Sequence, residues 1–234
     1  MNRYPEIDLL RTLAIILMVV YHGAYDLSVY YGWDIPIFEG AWLLMARATA
    51  SLFVFLAGVS FAIAHERAVQ SGNPWRRHLR RALTVLAAAL LVTVATYIAD
   101  PQTYVRFGIL HLIGTGILLL SFFVQLKELN MLLGLMIITL GLWIEGSLTS
   151  SPLLIPFGFL TPGFRSVDYF PLLPWFGMML LGYGIGYFLY VRSTRWRPTI
   201  SAPPVLTWPG RHSLIIYLVH QPVLLALLWM MTRT

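Results

Sequence analysis

Apolar runs of about 18–25 residues recur along the whole chain, and this pattern leaves few folds open to it. Within a bilayer every backbone N–H and C=O group must find its partner inside the protein, so a spanning segment is a helix or part of a closed barrel. The runs are continuously apolar rather than alternating, which favours helices. We therefore predict an all-α polytopic membrane protein with about seven transmembrane helices. They are expected at residues 7–29, 41–64, 82–99, 106–126, 130–146, 170–190 and 210–231.

The basic residues between these segments predict the orientation of the chain in the membrane. The segment 65–81 is the strongest cytoplasmic signal, because cytoplasmic loops are enriched in positive charge. Its arginines are Arg67, Arg76, Arg77, Arg80 and Arg81. The basic residues that then fall on the same side are Lys127, Arg192, Arg195 and Arg197. We therefore predict a cytoplasmic N-terminus and an extracytoplasmic C-terminus.

Composition argues against several classes of function. The formal net charge is +6, but the arginines lie in short loops between spans, so we expect no nucleic-acid partner. The chain contains no cysteine, which excludes a disulfide, a thiol nucleophile and a Cys-based metal site. His22, His111 and His220 could supply three imidazoles, but no metal-binding spacing such as H-x-x-x-H supports them, and we expect no metal.

The first predicted span carries a polar stripe. Arg11 and His22 are eleven residues apart, which is three helical turns plus about 20°, so they share a face about 16 Å apart along the axis. Asp8 and Asp26 fall near the same face through i,i+3 and i,i+4 spacing. Because polar groups are unfavourable in lipid, the stripe must face protein, water or a ligand, and the later spans are expected to enclose it.

Depth along the predicted helices brings further ionisable residues close to the outer end of the stripe. At about 1.5 Å per residue, residues from several segments reach one layer in the outer half of the membrane. They are His22, Asp26, Arg47, Arg106, His111, Glu145, Asp168 and His220. Charged groups at membrane depth indicate a functional site. Some have a structural alternative: His22 as a hydrogen-bond partner of a neighbouring helix, Arg47 as a snorkelling anchor, and His111 as a structural rather than a functional residue.

These residue types fit acylation of a hydroxyl or amine. His22 is the candidate general base that removes the proton of the acceptor, and Asp26, one turn further, is expected to orient its imidazole. Arg11 is expected to bind a phosphate-bearing or pantetheine-linked donor at the cytoplasmic end of the stripe. The further candidates for substrate or donor binding are Arg47, Arg106, His111 and His220. The stripe then connects an inner donor with an outer acceptor.

Several motifs resemble those of a known family. The R-x10-H pattern of Arg11 and His22 on a first span is similar to that of the transmembrane acyltransferase superfamily. The opening E-I-D-L-L-R-T-L-A-I-I-L-M-V-V-Y-H resembles more specifically a bacterial family related to the catalytic domain of heparan-alpha-glucosaminide N-acetyltransferase. The other stretches that carry the resemblance are 53–60, 106–114, 168–177 and 210–223.

The resemblance implies an integral membrane acetyltransferase of a bacterial or archaeal cytoplasmic membrane, with a single transmembrane acyltransferase-like domain over 1–234. It implies acetyl-CoA as the cytosolic donor, a sugar amine or hydroxyl as the outer acceptor, and Arg11 and His22 as the functional pair. Membrane lipid is an expected partner, and a homodimer is left open. For an acetyl-histidine intermediate, the resemblance implies a histidine beyond the first span, but residues 30–40 contain none. Direct transfer is therefore preferred. The alternatives are a small-molecule or proton-coupled transporter and a non-catalytic membrane module that binds lipid or a partner.

Overall fold

The computed structural model describes residues 4–193 and 201–232. These residues form an all-α polytopic membrane protein, so the predicted fold class is confirmed. The helices are α1 (Pro5–Tyr31), α2 (Gly40–Gln70), α3 (Pro74–Ala99), α4 (Ile109–Phe123), α5 (Asn130–Ile144), α6 (Leu172–Gly186), α7 (Pro204–Arg211) and α8 (Ser213–Thr232). Arg195 and Arg197, which contribute to the predicted orientation, lie outside the described residues, and the orientation itself stays a prediction.

Six helical stretches within the described residues are long and apolar enough to cross a membrane. Five of them correspond to one predicted span each, whereas the 36-residue stretch Ile109–Ile144 corresponds to two. A straight helix of that length would measure about 54 Å, well beyond a hydrocarbon core of about 30 Å. The stretch is broken in the 3-10 segment Val124–Leu129, where Lys127 has φ 48° and ψ −122°.

Contacts with α6 show that the chain reverses direction at this break. The pairs that define the directions are Gly116–Met179 and Val124–Tyr183 for α4, and Met131–Gly184 and Gly141–Pro174 for α5. Residue numbers rise together along α4 and α6, so these helices are parallel. Numbers fall along α6 as they rise along α5, so α5 is antiparallel to both. Helices α4 and α5 therefore form a hairpin, which accounts for the two spans predicted in this stretch.

Helices α2 and α3 extend further than predicted and include most of the basic run 65–81. The Asn73 side chain accepts a hydrogen bond of 3.1 Å from Arg76 N, and Pro74 occupies the first turn of α3. An Asn cap followed by Pro is a strong helix start. Only residues 71–73 of the run lie outside the helices, so the helices continue beyond the spans predicted to end at 64 and to begin at 82, and these membrane boundaries stay predictions. The arginines lie on helix ends rather than in a loop.

The chain forms two compact units. The first unit comprises Met1–Phe53 and Pro198–Thr234, and the second comprises Val54–Arg197. Helix α2 contributes residues 40–53 to the first unit and 54–70 to the second. The predicted description as a single domain stays a prediction.

Glycines bring the helices of the second unit into backbone contact. A Cβ added at Gly58 of α2 would collide with Met179 O of α6, and one at Gly182 of α6 would collide with Phe55 O of α2. On another face of α6, Gly177 lies against the backbone of α5. Small residues let membrane helices approach closely, and the α6 glycines have this packing role.

In the first unit, α1 packs against the short helix α7, which the sequence did not predict. Gly210 of α7 lies so close to the Asp8 carbonyl of α1 that a side chain there would collide with it. Gly210 N donates a hydrogen bond of 3.0 Å to Thr12 Oγ1, and Thr12 Oγ1 lies 2.8 Å from Leu206 O. Backbone contact with α1 therefore holds α7 in place.

In the second unit, the segments that precede α4 and α6 pair with each other. Phe107 and Tyr169 form an isolated β-bridge, and Val167 N donates a hydrogen bond of 2.8 Å to Thr103 O. This pairing places the start of α4 beside residues 164–170. Three residues of the predicted outer layer, Arg106, His111 and Asp168, lie there, and they are described below.

Candidate functional site

The C-terminal part of the polar stripe on α1 meets two consecutive residues of α8. The rings of His22 and His220 are in edge-to-face contact, with centroids 4.9 Å apart. Asp26 is fully buried, and its Oδ1 accepts a hydrogen bond of 2.6 Å from Gln221 Nε2. We refer to His22, Asp26, His220 and Gln221 as the α1–α8 polar cluster. The structure thus brings three predicted site residues together and adds Gln221 to them.

Backbone carbonyls set the tautomer of both histidines in the cluster. His22 Nδ1 lies 2.9 Å from Met18 O, and His220 Nδ1 lies 2.6 Å from Tyr217 O. Because a carbonyl oxygen only accepts, each Nδ1 carries the hydrogen in the neutral imidazole and each Nε2 carries the lone pair. Nε2 is therefore the nitrogen of each ring that can take up a proton.

The predicted hydrogen bond between His22 and Asp26 is not formed. Asp26 Oδ1 accepts from Gln221, and the hydrogen on His22 Nδ1 is directed at Met18 O. The i,i+4 spacing places His22 and Asp26 on one face of α1, but it does not determine which neighbour each side chain bonds. The Met18 carbonyl orients the imidazole instead, and a direct role of Asp26 in the site stays a prediction.

Three acceptor atoms of the α1–α8 polar cluster are buried and have no hydrogen-bond partner among the described residues. They are Asp26 Oδ2, His220 Nε2 and Gln221 Oε1. A buried polar atom left unpaired costs about 1–3 kcal/mol, and native structures contain few of them. Their concentration at one point between α1 and α8 marks a place where a ligand could be bound.

Arg11 belongs to a second polar group, at the start of α1. Asp8 Oδ1 lies 3.6 Å from Arg11 Nη1, and Asp8 Oδ2 lies 3.3 Å from Arg211 Nε of α7. Two guanidinium groups thus share one carboxylate, which leaves an excess positive charge on this face. Glu6 is also buried, but its spacing of two residues from Asp8 places it on the opposite side of α1. Paired guanidinium groups are well suited to bind phosphate.

His111 is used by the fold at the start of α4. Its Nδ1 accepts a hydrogen bond of 3.2 Å from Gly108 N, and its Nε2 lies 3.3 Å from Thr93 Oγ1. Thr93 Oγ1 donates its own hydrogen to Val105 O at 2.8 Å, so it accepts from Nε2–H. Both ring nitrogens are therefore engaged. This favours the structural alternative for His111 over the predicted role in substrate binding.

Arg106 and Asp168 also lie at the start of α4. Asp168 Oδ2 accepts a hydrogen bond of 3.2 Å from Ile109 N, which places a negative charge at a helix N-terminus. The Arg106 guanidinium carbon lies 5.1 Å from the ring centroid of Tyr104 and 5.1 Å from that of Phe164. Arg106 Nε is buried without a hydrogen-bond partner in the described part of the chain. Cation–π contacts therefore hold Arg106, and its predicted role as a substrate contact stays a prediction.

Tyr169 also lies beside the start of α4 in the second unit. Its hydroxyl donates a hydrogen bond of 2.6 Å to Ile155 O, and burial raises its pKa to about 12. The hydroxyl therefore stays protonated and acts as a donor at every physiological pH.

The remaining residues of the predicted outer layer are exposed. Arg47 lies on α2 in the first unit, without an ion pair or hydrogen bond to any residue that the structure describes. Glu145 follows the end of α5 in the second unit and is exposed as well. Their predicted depth, shared with the α1–α8 polar cluster, stays a prediction. Residues 4–193 and 201–232 contain no group of three or more His, Asp or Glu side chains arranged to hold a metal ion.

The predicted site residues did not include Arg211, Gln221 or a pair of stacked imidazoles in the second unit. In that pair, His65 Nδ1 lies 3.0 Å from His78 Nε2, and both rings stack on Phe61. Arg211 and Gln221 both lie in the stretch 210–223 that carries the family resemblance, and this was the available signal. The two imidazoles come from different helices, so no spacing rule connects them.

A family model described as heparan-alpha-glucosaminide N-acetyltransferase, catalytic, matches residues 3–222. The match covers most of the chain and includes every residue of the two polar groups on α1. It confirms the resemblance inferred from the motifs. Comparisons with curated proteins and with solved structures gave no match.

Proposed function

Because the chain belongs to the family of the heparan-alpha-glucosaminide N-acetyltransferase catalytic domain, we propose that it transfers an acetyl group from acetyl-CoA to an amine or hydroxyl. The donor enters from the cytosol, and the acceptor, a sugar amine or hydroxyl, binds at the outer side of a bacterial or archaeal cytoplasmic membrane. The C–S bond of the thioester breaks and a C–N or C–O bond forms. The acceptor loses a proton, and the departing CoA thiolate gains one.

The tautomer of His22 is the observation that supports this reaction most directly. His22 Nδ1 lies 2.9 Å from Met18 O and donates its hydrogen to that oxygen. The lone pair on Nε2 is therefore available to a substrate. His22 Nε2 takes the proton of the acceptor while the acceptor attacks the acetyl carbonyl carbon, and then delivers it to the CoA sulfur. A positioned base of this kind contributes about 10²–10⁴-fold to the rate.

The group of Asp8, Arg11 and Arg211 supports binding of the donor. Two guanidinium groups that share one carboxylate can hold the phosphates of acetyl-CoA. Arg11 and His22 lie on one face of α1 about 16 Å apart, a separation that suits a nucleotide at one end and a thioester at the other. Direct transfer with His22 as the base needs no covalent intermediate.

The test uses detergent-purified protein, radiolabelled acetyl-CoA and glucosamine as the acceptor. His22→Ala should lower kcat by about 10²–10⁴-fold, whereas the Kd for acetyl-CoA should change by less than about threefold, because a base acts on the chemical step. Arg11→Ala and Arg211→Ala should each raise the Kd for acetyl-CoA by about tenfold or more, because each removes a charge-assisted hydrogen bond.

His212→Ala provides a matched control. His212 Nδ1 also bonds to a carbonyl one turn back, Trp208 O at 2.9 Å, but His212 is not part of the α1–α8 polar cluster. This variant should keep wild-type turnover. Wild-type protein that neither binds nor consumes acetyl-CoA, or a His22→Ala protein with unchanged turnover, would contradict the proposal. Loss of donor binding in His22→Ala would identify His22 as a donor contact rather than the base.

A further inference from the structure

The α1–α8 polar cluster contains more acceptors than donors. Both Nδ1–H groups are directed at backbone carbonyls, and one N–H of the Gln221 amide is bonded to Asp26 Oδ1. The lone pair of His22 Nε2 is left over, together with the three buried acceptors that have no partner in the described residues. The second N–H of Gln221 is the one donor that remains in the cluster. The cluster therefore needs donors from a bound molecule.

This imbalance defines the chemistry of the molecule that the cluster can bind. O–H and N–H groups would satisfy the buried acceptors, which are unfavourable when unpaired. A group that carries only acceptors, such as a carboxylate or a sulfate, would face lone pairs and the Asp26 carboxylate, and would be repelled. A hydroxyl brings one O–H group and an amine two N–H groups, so a single reacting group cannot satisfy His22 Nε2 and all three buried acceptors. A second donor is therefore required.

The bond between Gln221 and Asp26 gives this second position its geometry. Gln221 Nε2 holds one carboxylate oxygen at 2.6 Å, so the carboxylate cannot rotate freely and its other oxygen, Oδ2, stays available. Gln221 directly follows His220, whose ring contacts His22. One turn of α8 thus supplies both a neighbour for the base and the amide that positions Asp26.

We propose that Asp26 and Gln221 recognise a hydroxyl or amine adjacent to the group that is acetylated, so that the preferred acceptor carries two neighbouring donors. The inference rests on the proposed acetyl transfer and adds specificity-determining residues to it. Asp26 Oδ2 accepts a hydrogen bond from the second donor of the substrate. Gln221 is a positioning residue, which acts through Asp26.

Two acceptors that differ by one hydroxyl test this pair. trans-2-Aminocyclohexanol carries two neighbouring donors, and cyclohexylamine carries the amine alone. Wild-type protein should show a kcat/KM about 10–100-fold higher for the amino alcohol, which is the effect expected of one hydrogen bond to a charged acceptor. In Gln221→Met, which keeps the length of the side chain without its polar atoms, this ratio should fall to about one to three.

A second variant and a control accompany Gln221→Met. In Asp26→Asn the amide oxygen can still accept from Gln221, so an NH₂ group takes the place of Oδ2 and faces the substrate donor. The preference for the amino alcohol should be lost in this variant too. Gln102→Met changes an exposed glutamine of the second unit and should keep the wild-type ratio. A wild-type protein without preference, or an unchanged ratio in both cluster variants, would overturn the inference.

Thermal stabilisation by the same two amines separates this inference from the proposed function. A ligand that binds the native protein raises its Tm whether or not turnover occurs. The amino alcohol should stabilise the wild type at lower concentrations than cyclohexylamine, and the difference should vanish in Gln221→Met. If acetyl-CoA is neither bound nor consumed, the proposed function fails. The stabilisation data still test whether Asp26 and Gln221 recognise a second donor of the ligand. Equal stabilisation of the wild type by both amines would overturn recognition of a second donor by Asp26 and Gln221, and it would leave the proposed acetyl transfer unaffected.

Discussion

His22 and His111 show how hydrogen bonds decide what an imidazole can do. His22 uses Nδ1 on Met18 O and keeps the lone pair of Nε2. His111 accepts from Gly108 N through Nδ1 and donates to Thr93 Oγ1 through Nε2. A general base needs a free lone pair, and of these two histidines His22 keeps one whereas His111 does not. Two residues with similar predicted depth therefore have different capacities.

His111→Ala should affect stability rather than chemistry. The change leaves the Gly108 N–H and the Thr93 hydroxyl oxygen without their imidazole partner, which should lower the free energy of unfolding by about 1–3 kcal/mol. The kcat/KM of the folded fraction should stay within about threefold of wild type. Thermal unfolding and acetyl-CoA turnover measure the two effects. A loss of turnover of about 100-fold at an unchanged Tm would instead support substrate binding by His111.

At the scale of the helices, the contact between α1 and α7 positions the guanidinium of Arg211. The backbone of Gly210 touches the Asp8 carbonyl, and the next residue, Arg211, reaches the Asp8 carboxylate at 3.3 Å. The ion pair between Arg211 and Asp8 therefore depends on the close approach of the α1 and α7 backbones. A change that separates α7 from α1 should weaken both.

Gly210→Ala should disrupt this arrangement. The added methyl group would collide with Asp8 O, and overpacking of this kind costs about 1–3 kcal/mol. We expect a lower Tm and a higher Kd for acetyl-CoA, because Arg211 moves away from Asp8. Gly23→Ala is the matched control, since its Cβ would lie 4.0 Å from the nearest atom, Leu224 Cδ2. That variant should keep the wild-type Tm or exceed it, because Ala is the better helix former by about 1 kcal/mol.

At the scale of the whole molecule, the predicted orientation and the hairpin of α4 and α5 can be tested together. The chain contains no cysteine, so single-cysteine variants can be labelled without background. Asp34, Ser71 and Lys127 are all exposed in the structure. A membrane-impermeant maleimide should label Asp34→Cys in right-side-out vesicles. It should label Ser71→Cys and Lys127→Cys in inside-out vesicles, because positively charged segments stay in the cytoplasm.

The outcomes that would contradict these expectations are distinct. Labelling of all three positions from the opposite sides would reverse the predicted orientation and leave the fold intact. An unreactive Lys127→Cys in both vesicle types would place this residue inside the bilayer. That result would contradict the reversal of the chain between α4 and α5.

The fold class, the family and the polar face of α1 could all be predicted from the sequence. These properties depend on residues close together in the chain, namely the length of apolar runs and the helical repeat that places Arg11 and His22 on one side. The helix ends within 65–81 were not predicted, because the charge of the arginines indicated a loop and obscured the helix start at Asn73 and Pro74. Helix α7 was missed because it is short and contains Pro209.

The partner of each polar group, in contrast, follows from how the helices pack. Gln221 and Asp26 are 195 residues apart, and Arg211 and Asp8 are 203 apart, yet both pairs are hydrogen-bonded. Spacing along one helix determines which face a residue lies on. A hydrogen bond between groups on different helices forms only when the donor–acceptor distance is correct to within a few tenths of an ångström. Sequence spacing therefore predicted a hydrogen bond between His22 and Asp26 that is not formed. Because α8 packs against α1, Asp26 accepts a hydrogen bond from Gln221 instead.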